Sequence, residues 1–137
     1  MNSIKIREVH SWLKKALLDL RSAEWLIESP DSLYDAVGFH SQQSAEKVLK
    51  AYLTWHDQPF GKTHSLVALV GICLSIDNTF EDLRKAATTL TPYAVTTRYP
   101  GDLPEVPRSE AEEAISLAHF VWDFVTKMLP SETHPNT

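Results

Sequence analysis

The chain has 137 residues, 43% of them hydrophobic, and 18 Asp plus Glu against 13 Lys plus Arg give it a net charge of −5. That is the size of one ordinary domain, able to bury about 68 to 70% of its unfolded surface, so wholesale disorder is excluded. A net negative chain has no global field to gather polyanions, which leaves any nucleic-acid contact to a local cluster of cations.

The N-terminal stretch MNSIKIREVH carries charges without a following apolar run of leader length, and no run reaches the roughly 20 residues of a membrane span. A soluble, unexported, cytoplasmic protein without membrane contact is expected. Cys73 stands alone, so neither an internal bridge nor a thiolate metal site can form, which fits a reducing compartment.

Gly is scarce, at 4 residues, and the 8 prolines fall between periodic segments, so the fold class is all-α. Wound at about 100° per residue, Ile6, Val9, Leu13, Ala16, Leu17, Leu20 and Ile27 share one side of a first helix that Pro30 ends. A second runs from an Asp31 cap to about Asp57, with Val37, Ala45, Val48, Leu49, Tyr52 and Trp55 inward. After a loop at 58–62, Thr63 caps a third helix carrying Leu66, Val67, Leu69, Val70, Cys73 and Leu74 to about Asp77.

Asn78 or Thr79 opens a fourth, with Glu81 and Asp82 favoured by the dipole and Leu83, Ala86, Ala87 and Leu90 inward, before Pro92 interrupts it. Residues 99–108 hold three prolines and a glycine, a long irregular segment of the kind that carries function. Ser109 with Glu112 reads as a capping box for a last helix reaching about Leu129 on Ala114, Ile115, Ala118, Val121, Trp122 and Val125. The architecture expected is an up-and-down bundle of about five helices, one domain over 1–130 with a flexible tail over 131–137.

Several chemical motifs fail. Gly61-Lys62-Thr63 resembles the end of a P-loop, but the glycine needed five positions earlier is His56 and no strand precedes it. The six histidines show no H-E-x-x-H spacing, and no G-x-S-x-G or Cys-His pattern marks a nucleophile, so neither metal nor cofactor is expected. On the second helix His40, Gln43, Glu46, Lys47 and Lys50 fall within an arc of about 120°, either a solvated strip or a surface that recognises phosphate or carboxylate. Arg98 can meet the last carbonyls of its helix or grip an anion bidentately. Thr63 and His64 offer the same choice between capping and anion contact. Leu18 and Trp25 lie about 100° off the main stripe and need a second surface, in the bundle or in a dimer; Phe120 and Phe124 pose the same question.

Three pieces taken together resemble the HEPN domain family: Gln-Gln-Ser-Ala-Glu-Lys-Val-Leu-Lys at 42–50, Thr-His-Ser-Leu at 63–66 and Arg-Tyr-Pro at 98–100. The resemblance spans nearly the whole chain. It implies a helical domain that commonly forms homodimers, is often paired with a small nucleotidyltransferase, and takes part in nucleotide or RNA transactions and toxin-antitoxin modules. Ribonuclease members carry Arg-x4-6-His, whose Arg polarises the phosphate while the His moves the 2′-hydroxyl proton. Here the positions after Arg98 that such a His would fill hold Leu103, Pro104 and Glu105. The expectation is therefore a non-catalytic nucleotide-, RNA- or partner-binding subunit with ligand residues Gln43, Glu46, Lys47, Lys50, Thr63, His64, Arg98 and Tyr99. The alternative is an atypical metal-independent ribonuclease toxin using Arg98 and His64.

Overall fold

The computed structural model describes residues 3–94 and 105–136. Arg98 and Tyr99 lie outside them. Five α-helices follow one another as α1 (Ser3–Ile27), α2 (Tyr34–Trp55), α3 (Leu66–Leu74), α4 (Arg84–Leu90) and α5 (Arg108–Thr126). Short 3-10 turns at Asn78–Leu83, Thr91–Ala94 and Ser131–Thr133 complete the described helical segments.

The two long helices form the frame. Lys5 binds Asp57, Trp12 lies beside Lys50, and Asp19 takes Lys47 and His40, so partner numbers fall as α1 rises and the pair is antiparallel. Most of their predicted inward stripes are buried, namely Val9, Leu13, Ala16, Leu20 and Ile27 from α1 and Val37, Ala45, Val48, Leu49 and Tyr52 from α2, while Ile6, Leu17 and Trp55 are only half-buried. α3 contributes Leu66, Leu69, Val70 and Cys73, while Val67, expected in the same stripe, is 43% exposed; α5 contributes Ala114, Val121 and Val125. Phe80 stands at the centre with no exposure, its ring 4.5 Å from Tyr52 and 5.4 Å from Phe124. A second, smaller cluster joins Ala23, Ile27, Val37, Val106 and Ala111 at the far end of the α1–α2 pair. There Arg108 donates to the Ile27 carbonyl at 3.1 Å and ties the start of α5 to the end of α1.

Four helix starts differ from the sequence expectation, and at two of them a neighbouring polar residue makes the cap. α2 begins at Tyr34 without a side-chain cap, not at Asp31. Ser65 caps α3 by accepting from the Ala68 amide, while Thr63 accepts from the Ser65 amide one turn of chain earlier. Asp77 caps the Asn78 turn through the Thr79 amide, displacing Asn78 and Thr79 from that role. No capping box forms at Ser109, because Pro107 occupies the cap and Ser109 already sits inside α5. Proline at that place loses no amide the helix would have used.

After Pro130 the described residues 131–136 fold back toward the end of α5. Thr133 is fully buried, and the His134 Nε2 reaches the Thr126 and Leu129 carbonyls at 2.8 and 3.1 Å. Thr126 is the last residue of α5 and Leu129 lies three residues beyond it, so His134 adds a side-chain donor at the C-terminal end of the helix, where the Thr126 carbonyl also accepts from the Leu129 amide at 3.1 Å. Near the other end of the bundle a Cβ on Gly38 would come within 2.4 Å of the Tyr93 ring, and that missing side chain lets Thr91–Ala94 press against α2.

Candidate functional site

The polar arc of α2 is not a solvated strip. Glu46 and Lys50 are 3% and 6% exposed, and the arc divides into two charge-balanced clusters. In the first, Asp19 of α1 accepts from the His40 Nδ1 at 2.8 Å and from the Lys47 ammonium. Two residues seven apart on α2 thus converge on one carboxylate of the facing helix, as the period of 3.6 allows.

In the second cluster Glu46 is the hub. Its carboxylate accepts from the Lys50 Nζ at 3.0 Å, the His64 Nδ1 at 3.0 Å and the Gln42 Nε2 at 3.2 Å. Gln42 also donates to the His64 carbonyl at 3.0 Å, and Gln43 donates to Gln42 at 2.7 Å. Burial pushes the Glu46 carboxyl up, but the donors Gln42, Lys50 and His64 together overcome that and hold it below the ordinary carboxylate value. The Lys50 ammonium also lies 5.8 Å from the centre of the Trp12 ring and 5.5 Å from that of Phe60, the two rings meeting edge-on at 6.1 Å. Gly61, at φ +68, makes the turn that follows Phe60, a backbone geometry that a side chain would strain.

The loop over 57–65 is thus fastened to α2 by one buried carboxylate and one cation between aromatic rings. What it presents outward is the His64 ring, 70% exposed. An ionised carboxylate only accepts, so the Glu46-facing Nδ1 must carry the hydrogen, and the neutral ring keeps its lone pair on the outward Nε2.

Of the residues singled out from the sequence, Gln43, Glu46, Lys50, Thr63 and His64 come together around this loop, while Lys47 belongs to the Asp19 cluster. Sequence reasoning missed Asp19, Gln42, Trp12 and Phe60. Asp19 had a legible signal, a carboxylate wedged beside Leu20 and one turn after Ala16 on a buried stripe, which obliges a cationic partner. Gln42 had one too, standing one helical turn before Glu46 at the head of the 42–50 motif, whereas the two rings had none, since only the packing of α1 and the folded loop brings Trp12 and Phe60 to Lys50. Among the described residues no group of His, Cys, Asp and Glu could hold a metal ion, and no helix is long and apolar enough to cross a membrane.

The fold and this α2-centred polar cluster define an all-α bundle domain built around a motif-bearing second helix. The family model described as "HEPN domain" matches residues 9–129, and the chain belongs to the HEPN domain family. It is also similar to the crystal structure of an archaeal HEPN homologue, with a TM-score of 0.70 and 26% identity over 89% of this chain and 98% of that one. No curated protein matches it.

Proposed function

We propose that this HEPN domain is a non-catalytic binding subunit, holding a nucleotide, an RNA phosphate or the mouth of a small nucleotidyltransferase in a toxin-antitoxin-like module, as a cytoplasmic homodimer. The single observation that carries the reading is the chain after Arg98, where Leu103, Pro104 and Glu105 stand at the positions of the ribonuclease histidine. Without it the proton-transfer partner of the arginine is missing from the motif.

The proposed ligand set is Gln43, Glu46, Lys47, Lys50, Thr63, His64, Arg98 and Tyr99, with its labour divided. Lys47 and Lys50 are neutralised by Asp19 and Glu46, so they position rather than attract. Arg98 supplies the charge that meets the anion, and His64 joins it by donating from Nε2 when that nitrogen carries a proton. Titration calorimetry with ATP, AMP and a short RNA, alongside co-purification with any small nucleotidyltransferase encoded beside it, tests this. Binding weakened at least about tenfold in Arg98→Ala and in His64→Ala, a loss of about 1.4 kcal/mol, is expected. No ligand bound and no complex recovered would refute it.

One observation favours the second reading, a ribonuclease toxin: the outward Nε2 of His64, backed by Glu46, has the orientation of a general base. RNA that survives incubation with the protein, cells that tolerate its expression, and a silent His64→Ala variant would dispose of it.

A further inference from the structure

His64 combines three properties that no other imidazole of the described chain shares. Its Nδ1 is committed to a carboxylate that is itself almost fully buried, its ring is 70% exposed, and its own carbonyl is anchored by Gln42. His40 has the same Nδ1 pairing, with Asp19, but its side chain is only 30% exposed and its ring lies edge-on to Phe39 at 5.3 Å. His134 spends Nε2 on two backbone carbonyls, and His119 turns Nε2 toward Glu24 at 3.5 Å. The His56 ring lies tilted against Tyr52, with centroids 4.5 Å apart. Among the described residues His10 has no carboxylate partner.

A ring fixed at Nδ1 by a carboxylate and open at Nε2 is prepared as a nucleophile at one defined nitrogen. From this geometry we infer that His64 is a phosphoryl-acceptor site, taking a phosphoryl group onto Nε2 from a high-energy P–N or mixed-anhydride donor. The Nε2 lone pair attacks phosphorus and the Nε2–P bond forms as the bond from phosphorus to the leaving group breaks. With a phosphoramidate donor, ammonia departs with the electron pair and nothing is oxidised or reduced. The Nδ1 hydrogen stays where it is, so the ring gains positive charge while facing the Glu46 carboxylate, which stabilises that charge as it develops.

The product fits its surroundings. The hydrogen bond to Glu46 survives, because only Nε2 changes. His64 immediately precedes Ser65, the cap of the nine-residue α3, so a phosphoryl dianion would sit by the positive end of that helix with exposed Lys62 two residues away. Its consequence rests on the binding site proposed above: a dianion on His64 replaces an anion-receiving edge with an anion-repelling one, and thereby switches that site off.

The test treats the full chain at pH 8 with potassium phosphoramidate and follows intact mass and the phosphorus NMR spectrum. The expected product is one acid-labile phosphoryl group, on His64, as the Nε2 isomer alone. It is lost in His64→Ala and forms about tenfold more slowly, or as mixed isomers, in Glu46→Gln, which keeps the volume but not the charge. Label spread evenly over the histidines, an Nδ1 isomer on His64, or a Glu46→Gln variant unchanged in both rate and isomer would overturn the inference. AMP titration of the unmodified protein separates the two ideas. If AMP fails to bind while His64 is still phosphorylated, only the binding role falls; if AMP binds and His64 stays unmodified, only the acceptor role falls.

Discussion

Replacing Lys50 by Met removes the ammonium from between Trp12 and Phe60 but keeps a long apolar stem in its place. The Glu46 carboxylate, 3% exposed, is then left with Gln42 and His64 as donors. Removing one partner of a buried ion pair costs about 3–5 kcal/mol because the remaining charge is stranded. Here two donors remain and the His64 side opens toward water, which places the loss near the bottom of that range, about 3 kcal/mol. For a chain of this length that corresponds to a drop in Tm of roughly 10 °C by calorimetry or circular dichroism. Adding Glu46→Leu removes the stranded charge, so the double variant should recover to within about 1 kcal/mol of the parent. pH supplies an independent check. In the parent the folded Glu46 carboxyl lies below its ordinary value of 4.5, so its contribution is complete above that pH and is lost as pH falls through the folded value. In Lys50→Met the balance reverses toward burial, and the deficit should shrink as acid protonates the carboxyl. A single-variant loss under about 0.5 kcal/mol, or a double variant as unstable as the single, would refute the view of Glu46 and Lys50 as a buried, mutually dependent pair.

Other outcomes follow from the same structure. Gly38→Ala forces a methyl within 2.4 Å of the Tyr93 ring and should cost about 1–3 kcal/mol in urea denaturation, whereas an unchanged midpoint would mean that Tyr93 does not press on α2. Ending the chain at Pro130 removes the buried Thr133 and the His134 hydrogen bonds, so thermal unfolding should fall by about 1–3 kcal/mol; no shift would show the tail to be idle. Trp25→Ser changes a side chain that is 81% exposed in the monomer, so stability at high dilution should move by no more than about 0.5 kcal/mol. A larger loss at high dilution would mean that its own bundle covers Trp25 after all.

The question the sequence left open at Leu18 and Trp25 receives its answer only from packing. At 54% and 81% exposure neither is covered by the described bundle, and Phe120 is likewise 46% exposed, whereas Phe124 turns inward to Phe80. Helical phase separates a side chain from the main stripe, but it does not say whether another helix of the same chain lies on that side.

What the amino-acid order determined by itself is everything periodic: the all-α class, the order of the five α-helices and their inward stripes, and the Glu46–Lys50 pairing four residues apart. These are local consequences of a turn of 3.6 residues, and they hold wherever the helix is placed. The tertiary structure decided which polar residues are inside. Glu46 and Lys50 read as a ridge because spacing carries no depth; they are buried because Trp12, Phe60 and His64 close over them from α1 and the 57–65 loop. Asp19 acquired its role only when α2 brought His40 and Lys47 across to it, and His64 acquired a defined outward nitrogen only when Glu46 took the inner one. Contacts separated by 10 to 38 positions in the chain set these roles, and no local pattern encodes the closure that brings them together.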